Sequence, residues 1–385
     1  MTGGWQDAIA GDELQRPSAA AALAGLRERV TAAGVHEFCA SFSPLSPALA
    51  PWAEHTTRLP EPLRALVELL VLGREVERAP AEAALGRLSN ELLALGLLAA
   101  GPDGRLSARG LVLRFVAGYW LLVDRPQANP VAYFGDDSVA LLTRLAPRPG
   151  GTALDLCSGP GLQALHLSSF AARVTAVEVH PAAAALSRAN AALNGRHERI
   201  EVLCGDLGGP VRGRRFDTVV ANPPLLPFPD DFPYPLVGHG GADGLRMTWR
   251  VLEQLPELLA PGGTAQLIGT FVASRPDPRA VAELETWCRR SGLDGLLTLV
   301  TFTPLAPGNA LFQALVESAA QAAGRAREEA AAAFARSLDE QAADALLAYY
   351  LLLSPGPGAL RVVDLAKPAR RSMWHASGIA RPDWI

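Results

Sequence analysis

The chain has 385 residues, of which 49% are hydrophobic and 19% are charged. The composition excludes disorder over most of the chain, and the length predicts two domains with an extra terminal element. The formal net charge of -4 gives no general basic field for holding phosphates, which lowers the expectation of a nucleic-acid substrate.

The cysteines indicate a reducing compartment. Cys39, Cys157, Cys204 and Cys288 are scattered without a Cys-x-x-Cys pair, and no histidine stands at metal-ligand spacing. We expect buried, unpaired thiols and no metal site. Residues 1–17 lack the apolar core of a signal peptide, and no window reaches the length of a membrane helix. The sequence therefore predicts a cytoplasmic protein with no membrane partner.

Residues 1–128 are predicted to form a helical, winged-helix-like domain. Apolar residues recur at helical spacing in three segments: Ala19–Ala33, Leu63–Leu72 and Pro80–Leu98. We expect Pro80 to take the first helical position, where proline is tolerated. A Gly-Pro-Asp-Gly turn at 101–104 and the apolar run Leu111–Val123 complete the outline. Acids and arginines are about equally frequent here, which favours packing, a lid or dimerisation over nucleic-acid binding.

Residues 129–318 alternate short β-branched runs with Ala/Leu-rich stretches, a pattern typical of a parallel α/β sheet. The predicted parallel strands are Ala153–Cys157, Val174–Val179, Ile200–Cys204, Phe216–Ala221 and Thr264–Thr270. Two late strands, Leu296–Val300 and Leu311–Val316, are predicted to form an antiparallel edge pair across a hairpin-like break. Residues 319–385 are predicted to form a helical extension that ends in an aperiodic tail.

A glycine turn follows the first predicted strand. Glycines at 159 and 161 let a ligand's polar tail approach the backbone, and a helix begins directly after them. A Gly-x-Gly turn alone is a weak signal. Glu178 strengthens it, because an acid at the end of the second strand is placed to accept both hydroxyls of a ribose. The alternative role for Glu178 is a solvated helix cap.

Two further motifs end the third and fourth strands. Asp206 follows Leu203-Cys204-Gly205 and could reach an adenine amino group, or cap a turn. Asn222-Pro223-Pro224-Leu225 follows the hydrophobic fourth strand. Its prolines fix φ and leave carbonyls free to accept hydrogen bonds. The amide oxygen of Asn222 and the carbonyl of Pro223 could take both hydrogens of an NH2 group; a purely structural Pro-Pro turn is the alternative.

Together these motifs resemble the class I S-adenosylmethionine-dependent methyltransferases over about residues 130–318. The Asn-Pro-Pro motif, Gly240–Leu245 and Leu258–Gly263 are similar to the amino-methylating branch, which includes HemK-type protein-glutamine and small-domain ribosomal RNA guanine-N2 methyltransferases. The resemblance implies a Rossmann-like α/β fold with a seven-stranded methyltransferase sheet, and catalysis by Asn222 and Pro223. It also implies S-adenosyl-L-methionine bound by Asp155, Ser158, Gly159, Gly161, Glu178, Asp206 and Asn222.

Position 225 departs from the family pattern. Members usually have Tyr or Phe where Leu225 stands, a ring that stacks on the target, and its loss weakens the case for a nucleobase. Phe228, Phe232 or Tyr234 in the following proline-rich loop could supply a ring instead. The side chains expected to meet the acceptor are Pro224, Leu225, Phe228 and Tyr234. Tyr133–Ser138 is also similar to a family segment that closes over the cofactor.

Three functions stay open on the sequence. The first is methylation of a planar amide or amino nitrogen in a protein or RNA. The second is N- or O-methylation of a small natural product, and the third is a non-catalytic scaffold that keeps the cofactor site. We do not assign His239 as a general base, because a nitrogen lone pair presented by Asn222 and Pro223 needs none. The methyl acceptor is not identified, and a homodimer is one expected arrangement.

Overall fold

The computed structural model describes residues 4–9, 17–42, 49–127, 129–232, 237–274, 279–369 and 372–375. Within these ranges, no helix is both long enough and apolar enough to cross a membrane.

Helices and strands alternate through the middle of the chain. The helices are α1 (Trp5–Ile9), α2 (Pro17–Ala32), α3 (Val35–Ala40), α4 (Ala50–Ala53), α5 (Leu63–Leu66), α6 (Arg78–Leu85), α7 (Leu88–Ala94), α8 (Asp136–Leu142), α9 (Leu162–Leu167), α10 (Pro181–Leu193), α11 (Arg246–Leu252), α12 (Leu255–Leu258), α13 (Arg279–Ser291), α14 (Ala310–Ala323) and α15 (Arg327–Glu340). The strands are β1 (Ala99–Ala100), β2 (Leu106–Ser107), β3 (Leu111–Val116), β4 (Tyr119–Asp124), β5 (Thr152–Leu156), β6 (Arg173–Glu178), β7 (Ile200–Cys204), β8 (Phe216–Ala221), β9 (Leu259–Ala273), β10 (Leu293–Pro304), β11 (Ala345–Pro355) and β12 (Leu360–Pro368).

The first of two units comprises Met1–Leu142 and Ser158–Pro210. The predicted order of helices, turn and β-ribbon is present: α6 and α7 precede the short pair β1–β2 and the hairpin β3–β4. A parallel pair, β6 and β7, aligns Glu178 with Cys204. The carboxyl ends of these two strands therefore lie together.

Helix α10 belongs to the hydrophobic core of the N-terminal residues. Its apolar side chains pack in one buried cluster with α2, and the members on α10 are Ala182, Ala185, Leu186, Ala189, Ala192 and Leu193. Leu23, Leu26 and Val30 supply the α2 side of this cluster. The core that begins before residue 128 thus extends to a helix that follows β6.

The second unit comprises Thr143–Cys157 and Val211–Ile385 and is organised around a sheet. Its strand order is β12-β10-β11-β9-β8-β5. β5, β8 and β9 are parallel, whereas β11 is antiparallel to both β9 and β10. β8 and the centre of β9 are mostly buried on both faces, which fits their mainly apolar and β-branched composition.

Several predictions for the C-terminal third are wrong. The predicted strand Leu311–Val316 lies inside α14, and the antiparallel partner of β10 is β11 instead. Residues 319–385 are not a helical extension, because β11 and β12 follow α15. β12 pairs in parallel with β10 and is a strand beyond the seven predicted.

Smaller expectations also fail. The predicted helix over Pro80–Leu98 is divided into α6 and α7, and Pro80 is the third residue of α6, not the first. Cys39 and Cys288 are buried as expected, but Cys157 is half-buried and Cys204 is exposed. Cys204 is the last residue of β7, where the strand leaves the sheet.

Candidate functional site

The glycine turn between β5 and α9 is built from left-handed backbone. Gly159 has φ 49° and Gly161 has φ 89°. A Cβ at Gly161 would lie 2.5 Å from the Oγ of Ser187 on α10, whereas a Cβ at Gly159 would meet nothing within 4 Å. A side chain at position 161 would therefore force the Ser187 hydroxyl to move, whereas position 159 leaves open space beside the backbone.

Glu178 is tied to this turn by hydrogen bonds. Its carboxylate accepts the backbone N–H of Gly159 at 2.8 Å and that of His180 at 2.9 Å, one on each oxygen. The side chain is only 9% exposed. Burial raises the pKa of Glu178, and the two backbone hydrogen bonds oppose that rise. Each oxygen keeps capacity to accept a further hydrogen bond from a ligand.

Two serine hydroxyls at the turn are buried without hydrogen-bond partners among the described residues. They are the Oγ atoms of Ser158 and Ser187. Buried hydroxyls are normally paired, so the unpaired Oγ of Ser158, the residue before Gly159, fits a polar ligand group. Together with the acceptors on Glu178, the turn fits the ribose and polar tail of a nucleoside cofactor.

Asp206 lies beyond the end of β7, close in register to Glu178. Cys204 is aligned with Glu178, and the N–H of Gly205 donates to the Glu178 backbone carbonyl at 2.9 Å. The Asp206 side chain is exposed. The structure therefore brings the turn, Glu178 and Asp206 together at the carboxyl end of the β6–β7 pair.

Asp155 and Asn222 lie at neighbouring strand ends in the second unit. Asp155 on β5 is aligned with Val220 on β8, and the next aligned pair is Leu156 and Ala221. Asp155 is 1% exposed, Asn222 is half-buried and follows directly after β8, and Pro223 is buried.

The chain after Asn222 is supported by the glycine-rich loop that contains Gly240–Leu245. Leu226 donates its N–H to Gly238 O at 3.0 Å and accepts the N–H of Gly240 at 2.9 Å, and the N–H of Phe228 donates to Gly241 O at 3.0 Å. The hydroxyl of Thr270 on β9 donates to Leu225 O. The sequence marks the glycines of this loop as part of a family motif but does not predict that the loop holds the chain after Asn222.

Glycine is needed in this loop because backbone passes close to backbone. A Cβ at Gly240 would lie 2.8 Å from the Leu225 carbonyl carbon, and one at Gly244 would lie 2.9 Å from Thr270 O. His239 is half-buried in the same loop, and its Nδ1 accepts the N–H of Gly241 at 3.1 Å. Burial lowers the pKa of His239, so the ring is neutral at physiological pH.

The predicted aromatic contact with an acceptor is wrong for Phe228 and for Phe232. Both side chains are 0% exposed, within an apolar cluster that includes Phe312 and Phe334. The Phe228 ring centroid lies 5.6 Å from that of Phe334. Their rings fill a core and cannot stack on a ligand. Tyr234 lies outside the described residues.

The other residues expected to meet the acceptor differ in exposure. Leu225 is 8% exposed, whereas Pro224 is half-buried. In the first unit, the hydroxyl of Tyr133 donates to Asp137 Oδ1 at 2.9 Å. The carboxylate of Asp124 accepts the N–H groups of residues 131 and 132 at 2.6 and 2.8 Å, which anchors the chain leading into Tyr133–Ser138.

Comparison with known proteins gives matches to methyltransferases. The sequence profile of the methyltransferase small domain family matches residues 134–275. The release factor glutamine methyltransferase of Moorella thermoacetica is 37% identical over 138 residues, which cover 33% of this chain and 49% of that protein. The chain thus spans about half the length of this relative.

Two other relatives are matched over more of their length. The 4-amino-L-phenylalanine/4-methylamino-L-phenylalanine methyltransferase of Streptomyces pristinaespiralis is 31% identical over 50% of this chain and 70% of that protein. A putative protein N5-glutamine methyltransferase of Methanocaldococcus jannaschii is 30% identical over 34% of this chain and 68% of that protein. The chain belongs to the class I S-adenosylmethionine-dependent methyltransferases, in the HemK-like branch.

Proposed function

We propose that this chain transfers the methyl group of S-adenosylmethionine to a planar nitrogen, an amide or amino group, of a protein or RNA acceptor. The observation that carries the proposal is the braced Asn-Pro-Pro segment: Asn222 follows β8 directly, half-buried, and the chain after Pro223 is held by Thr270 and the glycine loop. Family membership and the glutamine methyltransferases among the relatives support it. The release-factor name of one relative supports a cytoplasmic location.

For the cofactor, we assign the ribose hydroxyls to Glu178 and the amino-acid tail to the turn that contains Ser158, Gly159 and Gly161. Glu178 keeps free acceptor capacity on both oxygens, and Ser158 Oγ is buried without a hydrogen-bond partner among the described residues. Asp206 would accept from the adenine amino group. When bound, the cofactor supplies an electrophilic methyl group on a positively charged sulfur.

For the acceptor, we assign two hydrogen-bond acceptors to Asn222 Oδ1 and Pro223 O. They would take the two N–H hydrogens and turn the nitrogen lone pair toward the methyl group. Transfer would form a bond between the acceptor nitrogen and the methyl carbon while the carbon–sulfur bond breaks with its electrons going to sulfur, and one N–H proton would then leave the nitrogen for solvent. Fixed in-line alignment lowers the barrier without a strong base.

A small-molecule acceptor is the second candidate. The Streptomyces relative, matched over 213 residues, is named for an aromatic amine, 4-amino-L-phenylalanine. Leu225 also stands where an aromatic ring would stack on a nucleobase. Both observations are consistent with methylation of a planar nitrogen that belongs to a small molecule instead of a protein or RNA.

The test is transfer of a labelled methyl group into three acceptor pools from the source organism: total protein, total RNA and small-molecule extract. Label in protein or RNA supports the proposal, whereas label confined to small molecules supports the second candidate. Asn222→Ala should bind S-adenosylhomocysteine with unchanged affinity in calorimetry and lose transfer by about a hundredfold or more. Normal binding without transfer into any pool would indicate a non-catalytic scaffold, and normal transfer by Asn222→Ala would overturn the mechanism.

A further inference from the structure

Two asparagines on α10 hydrogen-bond to the backbone of β4. Asn190 accepts the N–H of Leu122 at 2.8 Å and donates to its carbonyl at 2.9 Å. Asn194 does the same with Trp120, at 2.9 and 2.7 Å. A side-chain amide carries both a donor and an acceptor, so each asparagine satisfies both backbone groups of one strand residue. The hairpin is thereby bonded to α10 along its edge.

Asn190 makes a third hydrogen bond that reaches the glycine turn. Its Nδ2 also donates to the carbonyl of Pro160 at 2.8 Å. The corresponding third bond of Asn194 goes to Asn190 O, at 2.8 Å. Asn190 is 0% exposed, so water cannot replace its amide at Pro160 O without opening the packing.

The turn needs such a restraint. Gly159 and Gly161, on either side of Pro160, both have positive φ, and glycine loses more conformational freedom on ordering than any other residue. Pro160 has no N–H, so its carbonyl is the one backbone group through which it can be hydrogen-bonded. Because the Pro160 carbonyl is held at 2.8 Å by a buried amide, the peptide plane that joins Pro160 to Gly161 is fixed.

We propose that Asn190 is a positioning residue that preorganises the turn Ser158–Gly161 and ties it to the N-terminal hairpin. The consequence for the cofactor rests on the proposed function. Because an ordered turn loses less conformational freedom on binding, the N-terminal residues that hold the turn through Asn190 set the affinity for S-adenosylmethionine. The packing of α10 against α2 in one core holds Asn190 in place. Ser187, one turn earlier on α10, contacts the same turn at Gly161.

Hydrogen exchange of the ligand-free protein tests the positioning role directly. Asn190→Ala and Asn194→Ala are a matched pair, since each loses one accepted and two donated hydrogen bonds, but only Asn190 bonds to Pro160. In peptides that cover residues 158–165, exchange should be about tenfold faster in Asn190→Ala and within about twofold of wild type in Asn194→Ala. Equal exchange in the two variants would overturn the proposal.

Calorimetry with S-adenosylhomocysteine tests the consequence for the cofactor. Asn190→Ala should bind roughly tenfold more weakly than wild type, and Asn194→Ala should stay within about twofold. Equal affinities in the two variants contradict the link to affinity. If wild type itself does not bind, the proposed function fails, and the exchange difference still decides the positioning role. Should either alanine variant not fold, Asn190→Ser and Asn194→Ser form the replacement pair.

Discussion

Glu178 is buried, yet its proposed role in ribose binding requires the ionised carboxylate. A carboxylate accepts hydrogen bonds from two ribose hydroxyls in its ionised form, and burial raises the pKa of Glu178 above its ordinary value. Affinity for S-adenosylhomocysteine should therefore be complete well above this raised pKa and should fall as the pH is lowered through it. Calorimetry from about pH 8 to about pH 5 measures this decline.

Two variants isolate Glu178 in that titration. Glu178→Gln should bind weakly and show a flat profile over the same pH range. His180→Gln removes the imidazole whose charge interacts with the carboxylate and should keep the decline. Parallel pH profiles for wild type and Glu178→Gln would show that another group is responsible.

Individual site residues differ in how far the sequence could reveal them. The proximity of Glu178 to Gly159, 19 residues apart, follows from the local geometry of a strand, a glycine turn and the next strand. Asn190 was not predictable, because its role depends on Leu122, 68 residues earlier, and on how α10 packs against a hairpin. Phe228 was misassigned because the sequence does not show α14 and α15 covering its ring.

At the scale of elements, substitution of the two glycines in the β5–α9 turn should cost different amounts of stability. Gly159→Ala and Gly161→Ala both place a Cβ on backbone with positive φ, at a cost of about 1 kcal/mol each. Only Gly161→Ala also meets Ser187 Oγ, at 2.5 Å, which adds about 1–3 kcal/mol of overpacking. Urea unfolding should therefore show a larger loss of stability for Gly161→Ala.

A double substitution distinguishes this contact from backbone strain. Gly161→Ala with Ser187→Ala should recover part of the stability, because the remaining Cβ of residue 187 lies 3.4 Å away. Ser187→Ala alone should stay close to wild type, since its hydroxyl has no hydrogen-bond partner among the described residues. Equal losses for Gly159→Ala and Gly161→Ala would show that strain alone determines the cost.

Element type was predictable where burial follows one clear period. The parallel strands β5 to β9 were assigned correctly because short β-branched runs alternate with helical stretches. α14 was mistaken for a strand although Phe312, Leu315, Val316 and Ala319 carry the helical spacing. β11 was missed because it is buried on both faces over most of its length, so its Ala/Leu-rich run has no alternation.

For the whole molecule, cofactor binding should raise the resistance to heat. A ligand that binds only the folded chain stabilises it by about 2.7 kcal/mol at a hundredfold excess over Kd. For a protein of this size that corresponds to a rise in Tm of roughly 3 °C. Differential scanning calorimetry with increasing S-adenosylhomocysteine should show Tm rising with the logarithm of ligand concentration.

Two variants test whether this rise in Tm comes from cofactor bound at the assigned site. Glu178→Ala should unfold without any ligand-dependent shift, because the assigned ribose contact is lost. Asn222→Ala should show the wild-type shift, because its assigned role is to hold the acceptor nitrogen. A shift that persists in Glu178→Ala would place the ribose elsewhere. Loss of the shift in a well-folded Asn222→Ala would mean that Asn222 stabilises the bound cofactor, and then loss of methyl transfer in that variant would no longer identify the acceptor site.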